Sequence, residues 1–395
     1  MKKWLKENLF RSYLDGFMTL VSAALAIWVI TQLFSFVFIT GRWEIVKVNL
    51  KLLLVGRFPD EQLWLVGASI AAIAFWIGLF AGSRRNDGTK ARNLIEWVRD
   101  MTQRFGLVAL LAAAIIYLSG TADALVTALL VVVALVAGRL VSGLRNKSRL
   151  LSAIPRVLWI LVGALVPISL IWLTLTLASL ENWGGFLINF YIAIISIVLC
   201  FPLGILLALG RRSSFPVLRL LSTAYIELIR GAPLFVLLLL AGVALEFFVP
   251  PEIAPDVIFR SVTVFTLFTA AYLAEIIRGG LQSIPKGQTE AGKALGLSTV
   301  KVIYLITLPQ ALRNVIPAQI GQFISLFKDT TLAGAALSVF EILNIGKAIT
   351  KQDDFLGQGL IYESLAFVAL MFWVGSFVMS RESQRLEKKL GVGIR

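Results

Sequence analysis

Few side chains in this sequence could do chemistry, and most of those lie in runs apolar enough to sit in lipid. Lys328-Asp329-Thr330 ends one such run. From Asn314 to Lys328 the chain advances 14 residues, about 21 Å of helix at about 1.5 Å per residue. The cation and the anion therefore lie well inside a hydrocarbon layer about 30 Å thick. Gln319, Gln322 and Ser325 precede them at i, i+3 and i+6. That spacing makes one polar stripe, which either faces a path or hydrogen-bonds neighbouring helices. Glu227 with Arg230, and Glu275 with Arg278, repeat an i, i+3 carboxylate–guanidinium spacing that allows pairing on one helix face. Gly231-Ala232-Pro233 directly follows the first pair and is able to kink or interrupt its helix. Ionisable groups are expensive in lipid and by default mark a pathway or a partner. For Glu275 and Arg278, near a span end, a structural ion pair is the favoured reading. For Lys328, Asp329 and Thr330, both a path or gate and a paired helix break stay open.

Enzymatic chemistry has little to work with. Histidine is absent, which removes the commonest general base and metal ligand. The single cysteine, Cys200, lies in an apolar run, so no internal disulfide or Cys/His zinc set can form. The run from Gly287 to Gly292, Lys293 and Ala294 nearly spells a phosphate-binding loop. Ala294, however, lacks the hydroxyl that would meet Mg²⁺, and no strand precedes the glycines. The chain is expected to bind no cofactor or metal and to catalyse nothing. Its net charge of +14 does not point to nucleic acid, because Lys and Arg fall in short runs beside apolar segments.

The elements that must position these groups are helices in a bilayer. The chain has 395 residues, 58% of them hydrophobic and 15% charged, against about 45–50% and 25% in soluble domains. Only lipid could be its solvent, and an all-α polytopic membrane protein follows. A crossing takes about 20 apolar residues. Ten segments are candidates: 17–40, 63–82, 105–120, 122–142, 157–179, 185–209, 218–249, 258–281, 312–330 and 359–380. Ser119-Gly120-Thr121 would join the third and fourth as a helical hairpin. With the N-terminus in the cytoplasm, inside segments hold 28 of the 37 Lys and Arg and outer loops hold seven. That bias places both termini inside. The run from Phe17 exceeds the core of about 7–15 residues that a cleaved signal carries, so it reads as a retained span.

The outer loop 41–62 departs from this bias, carrying Arg42, Lys47, Lys51 and Arg57. Its WEIVKVNLKLLLVG pattern is expected to form an interfacial helix on the lipid headgroups, with Glu44, Lys47 and Lys51 on one face. PPEIAPD (250–256) reads as a stiff outer turn, and the tail from Ser380 as a charged cytoplasmic helix. Five candidate spans precede Glu181 and five follow it. The expected division is an N-terminal extension, 1–180, and a working domain, 181–395.

One polar interval, Lys286 to Gln310, interrupts that working domain on its cytoplasmic side. Thr289 to Leu295 favours a short helix, and Gly296 can end it in the left-handed conformation. Ser298 can cap the next helix, which runs until Pro309 forces a new start. Ala291 and Gly292 offer a smooth face to a partner, and Glu290 a negative charge near a helix start. Glu290-Ala291-Gly292, Gly296, Ile306, Leu308 and Pro309 resemble the EAA motif of ABC importer permeases, with Gly292 where the motif has Ala. Further matches are Glu227–Leu234, Ala271–Gly280, Ile284–Gln288 and Phe327–Thr330, all similar to the polar amino-acid permease family of ABC importers. Asn49-Leu50-Lys51-Leu52 and Val55–Pro59 also resemble the long N-terminal region of general L-amino-acid permeases.

The resemblance covers about 185–390 and implies a five-helix type I importer core with a cytoplasmic coupling loop at 284–312. It implies a bacterial inner-membrane subunit that docks a dimer of ABC ATPases carrying the ATP and Mg²⁺. A second permease subunit, a different one in preference to a second copy, and an extracytoplasmic amino-acid-binding protein complete the assembly. The substrate would be a polar L-amino acid, whose zwitterion needs one anionic and one cationic partner. Lys328, Asp329 and Thr330 are then candidates for its path, with Glu227, Arg230 and Gln322 contributing. The rival is an ion-coupled secondary transporter or channel, with Lys328 and Asp329 as coupling groups.

Overall fold

The computed structural model describes residues 8–83, 94–119, 122–147, 156–177, 182–250 and 254–391. The described residues form no strand, and apart from one isolated bridge between Gly185 and Glu341 their ordered backbone is helical. Lipid offers the backbone no hydrogen-bond partner, and a helix satisfies its own N–H and C=O groups. Among the described residues six helices are long and apolar enough to cross a membrane, or eight if each of two bent pairs is one span. The ten segments expected from hydropathy therefore include stretches that do not form single straight spans.

The first helix, α1 (Tyr13–Ser35), passes through a π turn (Phe36–Thr40) and has no buried residue. Two short helices, α2 (Glu44–Val48) and α3 (Leu50–Val55), follow it. Then come α4 (Leu63–Ser83), α5 (Leu94–Ser119), α6 (Ala122–Lys147) and α7 (Arg156–Leu177). α6 lies along α4 and scarcely meets α5, so 105–142 is not the packed hairpin its short joint suggested. Glycines allow the α4–α6 contact: a Cβ at Gly78 would strike the Leu135 carbonyl, and one at Gly138 the Phe75 carbonyl.

The second half runs α8 (Gly185–Arg211), α9 (Pro216–Gly231) and α10 (Leu234–Leu239). The stretch 218–249, expected to cross as one helix, breaks at Ala232-Pro233, and its two parts meet at 102°. Proline lacks the N–H that would continue the helix and disfavours helical backbone in the residue before it. α11 (Val257–Gln282) is the most deeply packed span. The polar interval holds α12 (Lys286–Ala294), α13 (Thr299–Val302) and a π turn (Ile303–Thr307). The expected span 312–330 is divided at Val315 into α14 (Leu308–Asn314) and α15 (Ile316–Asp329). The stretch 331–358, read as an outer loop, contains α16 (Leu332–Leu337) and α17 (Ile342–Ala348), with Ala333, Ile342 and Ile345 wholly buried. α18 (Ile361–Leu390) completes the chain.

Ile45, Val46, Leu50 and Leu53 of α2 and α3 share one buried cluster with Ile342, Ile345, Phe367 and Phe372. The segment 41–62, expected on lipid headgroups, therefore packs its apolar face on the second half of the chain. A second cluster joins Phe58 and Trp183 to α8, α10, α11 and α15, and a third gathers Cys200, Ile226, Leu273, Ile277 and Leu308. The expected boundary at 180/181, the joint at Gly120-Thr121, part of the 250–256 turn and the basic runs at 84–93 and 148–155 lie outside the described residues.

Candidate functional site

The polar elbow at Lys286–Gln310 is built by local rules. Pro285 precedes α12, whose far end closes with the paired hydrogen bonds of a Schellman turn. Gly296 N–H donates to the Lys293 carbonyl at 2.9 Å, and Leu297 N–H to the Gly292 carbonyl at 3.1 Å. Gly296 sits at φ +80°, which glycine adopts without a Cβ penalty. Ser298 Oγ then accepts from Lys301 N–H at 3.4 Å and starts α13. Pro309 stands in the first turn of α14. Gln310 Nε2 donates to the Ile306 carbonyl at 2.9 Å and to Gln288 Oε1 at 3.4 Å, tying the second arm of the elbow to the first.

Glu290 and Ala291 face solvent, but Gly292 is buried. A Cβ there would lie 2.9 Å from Ile306 Cδ1 and 3.0 Å from Val302 Cγ2. Gly292 and Ile306 thus pack against each other and set the angle between the arms, which differs from the partner-facing role expected of Gly292. The outward surface carries instead Leu295, 82% exposed, and Val300, 75% exposed. Two bare apolar side chains in a polar elbow suit a docked partner. Hydropathy had not singled them out, because each is isolated in sequence.

A charged cluster lies at the C-terminal ends of α8, α9 and α11. Glu275 receives Arg211 at 2.6 Å, Arg278 at 2.9 Å and Arg230 at 3.6 Å. Arg211 also reaches Glu227 at 2.9 Å. The expected on-helix pair of Glu227 with Arg230 does not form. The helix break after Gly231 leaves Arg230 beside Glu275 and over the Tyr272 ring, 5.3 Å from its centroid. Arg278 and Glu275 do pair at i, i+3, as expected of them. One carboxylate thus holds guanidinium groups from three helices, about eleven residues before the elbow begins.

The other candidates gather near the opposite end of α8. Thr330 is wholly buried; its hydroxyl donates to the Phe327 carbonyl at 2.7 Å and accepts from Asn189 Nδ2 at 3.0 Å. Asn189 Nδ2 also points to Glu341 Oε2 at 3.3 Å, and Asn189 Oδ1 accepts from Ile342 N–H at 3.1 Å. Glu341 caps α17 through the N–H groups of Leu343 at 2.8 Å and Asn344 at 2.7 Å. Burial pushes the Glu341 carboxyl up from its ordinary range, while these hydrogen bonds pull the other way. Lys328 is exposed, Asp329 and Gln322 are half-buried, and Lys328 and Asp329 form no ion pair with each other. Gln319 is buried with an unpaired Nε2. From Asn189 to Arg211 is about 33 Å of helix at about 1.5 Å per residue. Glu227 and Arg230 therefore do not join Lys328, Asp329 and Thr330 in one site. Asn189 and Glu341 were missed, because single polar residues 152 positions apart carry no sequence signal of their contact.

Helices apolar enough to thread a bilayer around a polar elbow, with buried polar groups between them, define a multi-pass membrane protein. Residues 200–392 match the family described as the binding-protein-dependent transport system inner membrane component. The chain is 34% identical to the glutamate/glutamine/aspartate/asparagine transport system permease protein BztC of Rhodobacter capsulatus, over 98% of this chain and 93% of that one. It is 41% identical to the inner membrane amino-acid ABC transporter permease protein YhdY of Escherichia coli, over 54% of this chain and 57% of that one. A solved amino acid ABC transporter with histidines aligns at 25% identity and a TM-score of 0.46, covering 51% of this chain and 90% of that one. The chain belongs to the amino-acid ABC transporter permeases. It is a multi-pass membrane subunit of an importer, and that membership favours the importer over the ion-coupled rival.

Proposed function

We propose that this subunit pairs with a second, different permease to carry polar L-amino acids across a bacterial inner membrane, with both its termini in the cytoplasm. A dimer of separate ATPase subunits holds the ATP and Mg²⁺, and an extracytoplasmic amino-acid-binding protein delivers the substrate. The single observation behind this reading is the elbow itself. Glu290, Ala291, Leu295 and Val300 stand outward on a frame set by Gly292, Gly296, Ile306, Leu308 and Pro309. Closure of the ATPases would push on that elbow and tilt α11 and α14, which flank it along the chain. The path would then open alternately to the two sides.

Lys328 and Asp329 border the path in this reading, where one cation and one anion match the two ends of a zwitterion, with Gln322 about two turns earlier on the helix. Thr330 fixes their backbone. Glu227 and Arg230 serve the cytoplasmic cluster. Co-purification tests the docking: the ATPase subunit stays with the wild type and is lost on Glu290→Lys or Gly296→Asp. Uptake by reconstituted complex tests the path. Lys328→Met and Asp329→Asn are expected to lower it about tenfold or more, and unchanged uptake at normal membrane levels removes both from the path.

A further inference from the structure

The first half of the chain has a part whose position the permease core alone does not explain. Arg42 to Phe58 lies across the outward ends of α8, α17 and α18, and its contacts are specific. Arg42 N–H donates to Glu363 Oε1 at 3.0 Å, and its Nη2 to Gln358 Oε1 at 2.6 Å. Asn49 and Gln352 exchange amide hydrogen bonds, at 3.1 Å from Asn49 Nδ2 and 2.9 Å from Gln352 Nε2. Gly56, at φ +68°, is pressed on Gly184, where an added Cβ would lie 2.7 Å from the Gly184 nitrogen. Gly185 N–H in turn donates to the Phe340 carbonyl at 2.9 Å, and the Arg57 guanidinium stacks 4.7 Å from the centre of the Phe340 ring. Phe340 is followed by Glu341, which meets Asn189, which meets Thr330.

We propose that Arg42–Phe58 is a positioning brace: it stays seated on the outward end of the core and, through Gly184-Gly185 and Phe340-Glu341, sets Asn189 and Thr330 beside Asp329. The segment has good reason to stay. Lifting it would uncover Ile45, Val46, Leu50 and Leu53, all buried, and would break the amide exchange of Asn49 with Gln352. It is joined to the path residues by an unbroken series of backbone and side-chain contacts, the arrangement through which a remote change can be felt. The brace rests on the reading that Lys328 to Thr330 borders the path.

The test uses the complete importer with its ATPase and binding protein. Asn49→Gln and Gln352→Asn, made singly, are expected to cut uptake about fivefold or more at equal ATPase retention. The double exchange keeps the summed length of the two amides and is expected to restore uptake to within about twofold of wild type. In a Cys200→Ser background, Asn49→Cys with Gln352→Cys, joined by a short thiol cross-linker, should link equally in nucleotide-free and ATP-trapped complexes and keep uptake within about twofold. Single variants without effect, a double exchange that fails to rescue, or a link that blocks uptake or forms in only one state each overturn the brace. Impaired Asn49 variants together with a normal Asp329→Asn would instead remove the path reading and leave the seat intact.

Discussion

Glu275 is the residue on which most of the elbow's end of the molecule depends. Its carboxylate, 17% exposed, answers three guanidinium groups, of which Arg211 is also shared with Glu227. Glu275→Gln keeps the shape and removes the charge, so Arg211, Arg230 and Arg278 would face one another with only Glu227 in reach of one. Removing one member of a buried pair costs about 3–5 kcal/mol, and part exposure here reduces that to about 1–3 kcal/mol. The expected result is a lower melting temperature of the purified complex and a loss of uptake out of proportion to ATP hydrolysis, because three helices next to the elbow would no longer move together. Among the arginines the effect should fall in the order Arg211, Arg278, Arg230, following distances of 2.6, 2.9 and 3.6 Å. Equal effects in all three would show that the cluster acts as bulk charge and not as a tether.

Among the elements, the elbow obeys its own sequence most closely. Gly296, Ser298 and Pro309 act within a few residues of themselves through a positive φ, a cap and a missing N–H, so their positions were legible without any tertiary contact. Gly292 was not, because what decides its direction is Ile306, on the far arm. That contact carries a prediction. Gly292→Ala meets the flexible end of Ile306 at 2.9 Å and gains helix propensity of about 1 kcal/mol, so ATPase retention and uptake should stay within about twofold. Gly292→Val drives a second branch into Val302 and should spread the arms, with retention of the ATPase reduced about tenfold. The same limit hid the separate cross-helix partners of Glu227 (Arg211) and Arg230 (Glu275), since an i, i+3 spacing records a chance to pair but not a competing Arg211. It also hid the seat of α2 and α3: Ile45, Val46, Leu50 and Leu53 form an apolar face that fits headgroups and protein equally well until the second half of the chain is in place.

At the scale of the whole molecule the two ends are chemically unlike, and the proposed orientation follows from that. The Glu275 cluster and the elbow share one end with the termini of α8 and α11, and the brace, α16 and α17 share the other. Of the 37 Lys and Arg, 28 fall in the segments that hydropathy assigns to the inside together with the elbow, the distribution expected of a cytoplasmic face. The four basic residues of 41–62 oppose it weakly: Arg42 is hydrogen-bonded to Gln358, Lys51 is paired with Asp60 at 2.5 Å and Arg57 is stacked on Phe340. Cys200 is buried, so a Cys200→Ser protein gives a silent background for single thiols at exposed sites. Asp354→Cys, next to the brace, should react with a membrane-impermeant maleimide in intact spheroplasts. Leu295→Cys, on the elbow, should react only after the membrane is opened. The reverse pattern would put the elbow outside, where no ATP-driven partner could reach it, and the transport cycle proposed for this subunit would have no source of force.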